Sequence, residues 1–473
     1  MIRVYFDWNV VSNLKRNDQL KAVIDKHKEY LQFPFSHTHF KDLMKSYSPT
    51  NKSFFQDLEM LEQLSIKHHF NWDDERVVGH FVKPKDYFEG MNSYEQPDKT
   101  AMEEAIESID KLSEEYGIKN FSALFNSILA MQLDHIDEQQ KSNNLFKTII
   151  PSLTSAKPNI LKDAISFMSN LTTNNTFYKG FRKEIGTQGL KLEDNAGNWS
   201  PEDVFNNIDE YFKKNNINQT FSEFVESSFK GNTPKNPLTV FSMSYLLLDL
   251  IGYKSDKLPK PTDNMANITN DAEHAFYGAH CDYFVTNDKK LLTKAKVLYH
   301  EYNINTQVLS PEEFISVIDN VVHKPVDEEK GFINDAFEIL KKGTFVNDSP
   351  PGEEIEAGTY GIMLPIFYFN YFNCTIYKHY EEEGYVFITF RKIFKNRSNF
   401  IFYTEAERIL RFCMNFFGYD PILMEQHIKE FVYDNTKEKI EWDFDYGLII
   451  IEKDELGRPN LCYAIDVGKD SQE

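Results

Sequence analysis

Four aspartates stand where strands end and helices begin, positions that share one edge of an α/β sheet. Asp7 follows I-R-V-Y-F, a short branched stretch with the alternation of a buried strand. Asp42 lies in the first turns of a helix that follows a short strand at 33–35. Asp271 opens a helix expected over 270–280, and Asp288 closes the strand Y-F-V-T at 283–286. A carboxylate at the C-terminal end of a parallel strand points into the crevice where such sheets bind ligands. Carboxylates gathered there repel one another and stay ionised together only if a cation neutralises them. Hard oxygen ligands select Mg2+ or Mn2+. Such ions activate a water and stabilise charge on a phosphodiester during in-line displacement.

Each of these residues also has a plain structural reading. Asp42 in K-D can be a helix-start acid favoured by the dipole, and Asp271 and Asp288 can be N-caps. Asp7 is the hardest to explain as a turn residue, because an acid at the end of a buried strand is costly without a partner. Glu273 is close to Asp271 and reads better as a solvent-facing or structural residue than as a ligand. His37, His39, His274 and His280 lie near these acids in sequence. A lone histidine on a helix is more often structural than catalytic. That reading is preferred for all four, including His274, one turn after Asp271. Lys289 and Lys290 follow Asp288 directly; contact with substrate phosphates and simple solvation both stand open.

The elements that must position these residues come in three blocks. After the first strand, apolar spacing gives a helix within 13–31, then the strand at 33–35, then a helix with Ser36 as N-cap and His39 at its third position. A further helix covers 52–66, and a looser segment follows. Residues 100 to 230 read as helices at 100–115, 119–148, 158–172, 201–214 and 219–230, with no fixed-period repeat. The pattern then alternates: helix 237–253, helix 270–280, strand 283–286, helix 289–301, strand 306–309, and a helix opening at S-P-E-E with Ser310 as N-cap. Strands alternating with helices imply a parallel sheet. Beyond Pro325 come a helix at 327–341, aromatic strands near 360–378 and 384–394, helices at 404–417 and 421–434, and strands near 439–452 and 460–467. That block reads as α+β with a partly antiparallel sheet.

Composition bounds the function. At 473 residues the chain needs more than one core. No window holds eighteen apolar residues, and no signal-like leader is present, so no membrane association and a cytoplasmic location are expected. Cys281, Cys374, Cys413 and Cys462 are scattered, which argues against a zinc knuckle or a disulfide framework. The net charge of −21 repels nucleic acid at long range, so any contact with it requires local basic groups or divalent ions. From Asp327 onward there are 28 acidic and 16 basic residues, which marks the last block as a separate domain with its own surface. Its one dense basic cluster, F-R-K-I-F-K-N-R at 390–397, fits a strand with inward phenylalanines and a basic turn better than a base-stacking platform. The aromatic run at 360–372 reads as core strand or an interface between copies. No phosphate-binding glycine loop, nucleophile elbow or zinc-protease motif occurs.

Three stretches carry a family resemblance: F-D-W-N-V-V-S-N-L, S-H-T-H-F-K-D-L and N-D-A-E-H-A-F-Y-G-A-H-C-D-Y-F-V-T-N-D-K-K-L-L. Together they resemble the signature regions of PIN-domain nucleases, and the third is the specific one. The resemblance implies a doubly wound parallel α/β sheet and metal-dependent cleavage, of RNA in most members. It implies Asp7, Asp42, Asp271 and Asp288 as catalytic metal ligands for Mg2+ or Mn2+, with Asp42 standing where the family usually has glutamate. Asn9 and Thr286 match polar residues that support the metal or its water. The resemblance covers about 1–45 and 236–320 and implies a PIN-like core from 1–50 and 236–322; the residue pattern adds a mainly helical insertion at 51–235, expected to wall the substrate, and a C-terminal α+β domain at 325–473. The expected substrate is RNA, single-stranded or in a structured loop. The last domain would bind a protein partner or drive self-association, as suits a toxin or antiphage defence effector. The rival from another class is a non-catalytic RNA-binding or scaffold protein that kept the fold.

Overall fold

The computed structural model describes residues 1–73, 75–93, 167, 170, 174–187, 191–227, 236–255, 265–326, 331–346, 359–380, 384–393, 400–466 and 468. The helices expected at 100–115, 119–148 and most of 158–172 lie outside the described residues. In chain order the N-terminal strands are β1 (Ile2–Phe6), β2 (Leu31–Gln32), β3 (Phe35–Ser36), β4 (His68–Trp72) and β5 (Val77–Phe81). Two more follow the helical block, β6 (Tyr283–Val285) and β7 (Gln307–Leu309). The C-terminal strands are β8 (Thr344–Val346), β9 (Thr359–Tyr368), β10 (Phe372–Tyr380), β11 (Tyr385–Arg391), β12 (Lys439–Phe444), β13 (Gly447–Lys453) and β14 (Pro459–Asp466).

The fold is mixed α/β. Strands β2, β1, β6 and β7 form, in that order, a four-stranded parallel sheet. Its two faces can be read off the alternation in β1. Ile2, Val4 and Phe6, with Tyr283 and Val285 of β6, enter one core. That core is shared with the helices Trp8–Asn13, Asp18–His27, His37–Met44, Lys52–Ser65 and Pro311–Val321. Tyr5, between them, enters a second core with Phe284. That core holds the helices Pro237–Leu250, Met265–Gly278 and Lys289–Glu301 and the described part of the helical block. Helices on both faces are what a parallel sheet needs to bury its backbone. The chain leaves β1 toward β2 on one side and enters β6 and β7 on the other, so the order reverses between β1 and β6. The carboxyl ends of strands flanking such a reversal form a crevice.

Several expectations need correction at this level. The strand expected at 33–35 is two strands in two sheets, divided by Pro34, which has no N–H to give a ladder. The looser segment after residue 66 is a hairpin of β4 and β5, joined to β3 in a three-stranded sheet, so the described part of 51–235 is not wholly helical. The Asp271 helix begins at Met265, not at 270. No glycine or proline interrupts Met265–Asn270, and Ile268, Ala272 and Ala275 continue one buried stripe.

The C-terminal block builds its own core on a seven-stranded sheet, in the order β12-β13-β14-β11-β10-β9-β8. Every described pairing in it is antiparallel, where a partly antiparallel sheet was expected. Two expected long strands are hairpins instead. One turns at Phe369 and Asn370, both at positive φ (51° and 55°), the geometry of a tight two-residue turn. Phe390 is buried as the strand reading requires, while Lys392 of the basic cluster is 2 % exposed and pairs with Asp282 at 2.6 Å. Residues 394–397 of that cluster lie outside the described residues. The block is not free of the rest. Arg3 of β1 pairs with Glu405, both wholly buried, and Val322 bridges to Phe367. Among the described residues no helix is long and apolar enough to cross a membrane.

Candidate metal centre

Strand β1 delivers Asp7 to the crevice. Its N–H donates to the Val285 carbonyl at 3.0 Å, which continues the ladder with β6 one residue past the strand. Its extended backbone (φ −62°, ψ 154°) starts the helix Trp8–Asn13, and its carbonyl takes the Val10 and Val11 N–H groups. The side chain makes no cap. Instead Oδ2 accepts from Thr286 Oγ1 at 2.7 Å and from the Asn9 amide. Asn9 Oδ1 in turn accepts the Asn287 N–H at 3.1 Å, so the first loop and the loop after β6 are stitched together around one carboxylate. Oδ1 of Asp7 faces His274 Nε2 at 3.7 Å.

Asp42 reaches the same point from the helix His37–Met44. Its Oδ2 lies 3.0 Å from His274 Nε2, and its Oδ1 accepts from Lys45 Nζ at 2.5 Å. Asp7, Asp42 and His274 each offer an atom within 4.8 Å of the others. Asp7 and His274 are buried and Asp42 is half-buried. Burial pushes the Asp7 carboxyl up; His274 and Thr286 oppose this, and Asp42 and Asp288 add to it. Burial also acts against ionised Asp42, but His274 and Lys45 outweigh it and hold that carboxyl below its ordinary range. The two acids therefore differ: neighbours outweigh burial at Asp42 and offset it only in part at Asp7.

A second layer fixes the imidazole. The Tyr5 hydroxyl lies 3.0 Å from His274 Nδ1 and 2.7 Å from Ser36 Oγ. Behind it His39 Nε2 donates to the Phe6 carbonyl at 2.8 Å, and its Nδ1 accepts the Ser36 N–H at 3.1 Å. Burial pushes the His39 pKa down to about 3, so this ring is neutral and structural. When Tyr5 accepts from His274 Nδ1–H, the Nε2 lone pair faces the two carboxylates and is available to a cation. When Tyr5 donates to Nδ1, Nε2–H donates to Asp42 instead. Two carboxylate oxygens and one imidazole nitrogen are a donor set that fits a divalent transition ion.

The residues singled out from sequence fall in different places. Asp7 and Asp42 meet. Asp288 caps the helix Lys289–Glu301, with Oδ1 accepting the Lys290 and Leu291 N–H groups at 2.7 and 3.0 Å. It lies near enough to Asp7 to raise that carboxyl, but outside the three-residue group. Asp271 is the seventh residue of its helix rather than the first, and also lies outside the group. Asn9 and Thr286 both hold Asp7. Lys289 is exposed. Glu273 is tied to the His37–Met44 helix by Lys41 at 2.7 Å and Thr38 at 3.1 Å, a structural bridge. Tyr5 is a member that sequence reasoning passed over, and His274 is one that it weighed and read as structural. For His274 the available signal was its position one turn after Asp271. For Tyr5 it was a hydroxyl on the strand face opposite Ile2, Val4 and Phe6. Compared with family models, with curated proteins and with solved structures, the chain matches none.

Proposed function

We propose that this chain is a metal-dependent phosphodiesterase, and specifically an endoribonuclease with a PIN-like core. The observation that carries the reading is the meeting of Asp7, Asp42 and His274 where the strand order reverses, from three segments far apart in sequence. Asp7, Asp42 and His274 would hold a divalent ion, and the imidazole makes Mn2+ a better fit than Mg2+. Bound there, the ion would activate water and offset charge on a phosphoryl oxygen. Thr286 and Asn9 fix the orientation of Asp7, and Tyr5 sets which nitrogen of His274 is free. Lys45, paired with Asp42 yet 52 % exposed, and exposed Lys289, which follows Asp288 in the chain, would meet phosphate oxygens, which matters in a protein with net charge −21. RNA as the substrate rests on the resemblance of the three sequence regions.

One observation favours the non-catalytic reading. Lys45 and His274 already compensate Asp42, so part of the cluster is satisfied without an ion. The test separates the two. Purified full chain with Mn2+ should cleave RNA, and Asp7→Asn should lower the rate at least about a hundredfold. His274→Ala should weaken Mn2+ binding about ten- to a hundredfold, read by the EPR signal of free Mn2+. RNA and single-stranded DNA left intact by wild type that binds Mn2+ would end the nuclease reading and leave a binding or scaffold protein.

A further inference from the structure

Lys45 follows the last residue of the helix His37–Met44, three positions after Asp42. Its ammonium is held from two elements. Nζ donates to Asp42 Oδ1 at 2.5 Å and to Asn267 Oδ1 at 2.7 Å, and Asn267 belongs to the helix that carries His274. An ion pair at this spacing on a helix surface contributes little to stability, so the second anchor is what sets Lys45 apart. An ammonium has three N–H donors and no acceptor. Two are engaged by these oxygens, and the side chain is still 52 % exposed, so the third points to solvent. Lys41, on the same helix, differs: both oxygens of Glu273 take its charge.

The donor atoms of the centre divide into two sets. Asp7 Oδ2 accepts from Thr286 and Asn9, and Asp42 Oδ1 takes Lys45. Asp7 Oδ1, Asp42 Oδ2 and His274 Nε2 face one another instead. Asp271 and Asp288 lie outside this group, and Asp288 Oδ1 is used by two N–H groups of its own helix. Three donors turned to one point serve one ion. A second ion would have to share Asp42 Oδ1, where Lys45 already stands with a positive charge. Centres that displace a phosphodiester with two ions use the pair to stabilise the attacking and leaving oxygens. A lysine ammonium brings charge of the same sign and binds phosphate as a point donor. The Asp42 carboxylate thus carries the ammonium on one oxygen and presents the other to the ion.

We propose that the centre takes a single divalent ion and that Lys45 serves in place of a second, its third N–H donating to a non-bridging oxygen of the substrate phosphate. The inference rests on the nuclease reading above and adds the ion count and the residue that stands for the other ion. Lys45 offsets charge on the phosphoryl group and transfers no proton.

The test uses the full chain, with Mn2+ binding read by the EPR signal of the free ion and cleavage read separately on single-stranded RNA. Wild type should bind one Mn2+ per chain. Lys45→Met removes the charge and keeps the apolar stem, and loss of one exposed ion pair should leave the fold intact. The variant should bind Mn2+ as tightly as wild type or more tightly, because a competing cation has left Asp42. Its kcat should nevertheless fall about tenfold to a hundredfold. Lys45→Arg keeps the charge and should recover part of that loss. Two Mn2+ per chain in wild type would overturn the inference. So would a Lys45→Met chain that cleaves at the wild-type rate, or one whose Mn2+ affinity drops about tenfold or more. Wild type that binds Mn2+ and leaves RNA intact is a different failure: it removes the nuclease reading, and the phosphate contact of Lys45 goes with it.

Discussion

At the scale of single residues the centre is asymmetric. Asp42 has Lys45 and His274 against its two oxygens, while Asp7 has two hydrogen bonds on Oδ2 and the His274 ring 3.7 Å from Oδ1. Burial raises the Asp7 carboxyl, so its ionised form is disfavoured in the folded chain. Sites that bind cations often carry such a cost, and relieving it stabilises the free protein. Asp7→Asn keeps an oxygen for Thr286 and Asn9 and removes the charge. In EDTA at pH 7 the variant should therefore be more stable than wild type, by about 1 kcal/mol. In Mn2+ the order should reverse, because only the wild type gains binding energy. Urea denaturation with and without Mn2+ reads both. A variant less stable than wild type in EDTA would mean that Asp7 is compensated without an ion.

At the scale of elements, the sequence carried the sheet but not the rotation of one helix. The alternation in β1, the Y-F-V-T strand and the S-P-E-E helix start are local signals, and the structure has each within a residue or two. Proline 34 divides two strands and the Phe369–Asn370 turn folds one long strand into two, because short-range chemistry there overrides a continuous apolar run. The Asp271 helix is different. An acid followed by an alanine-rich stripe looks like a cap, yet the helix starts six residues earlier, so His274 and not Asp271 joins the three-residue group. No local signal fixes that phase. It is set by packing, and Gly278 shows where. A Cβ there would lie 2.7 Å from the Phe284 ring, so the end of the helix rests directly on β6. Phe284 is fully buried and has nowhere to go. Gly278→Ala should cost about 1–3 kcal/mol and weaken Mn2+ binding, since the helix that carries His274 must shift. Adding Phe284→Leu should recover part of both losses. Chemical denaturation and Mn2+ titration of the single and double variants check this; full stability in Gly278→Ala would show that the contact is slack.

At the scale of the molecule, charge composition misleads. An acidic last block reads as a separate surface, yet its contact with the first strand is made of buried ion pairs. Arg3 donates to both oxygens of Glu405 and to the Phe400 carbonyl, and lies over the Phe400 and Phe402 rings. Lys392 pairs with Asp282, which also takes the Arg3 N–H at 2.8 Å. Partners some four hundred positions apart leave no trace in local pattern, and a lone arginine in a strand is ordinarily placed at the surface. Breaking a buried pair by removing one side leaves an uncompensated charge and costs about 3–5 kcal/mol, whereas replacing both sides with apolar groups can be nearly neutral. Glu405→Ala should therefore be severely destabilising, and Arg3→Met with Glu405→Leu much less so. Acid should act on the same contact. Burial opposes the ionised Glu405, but Arg3 outweighs it and holds the carboxyl below its ordinary value of 4.5. A folded pKa below the unfolded one gives stability that is present in full above pH ~4.5 and is lost as pH falls through the lower folded value. Wild type should thus lose stability below pH ~4.5 more steeply than the Arg3→Met, Glu405→Leu chain. Urea midpoints between pH 3 and pH 7 compare the two; parallel curves would remove the Arg3–Glu405 pair from the acid response.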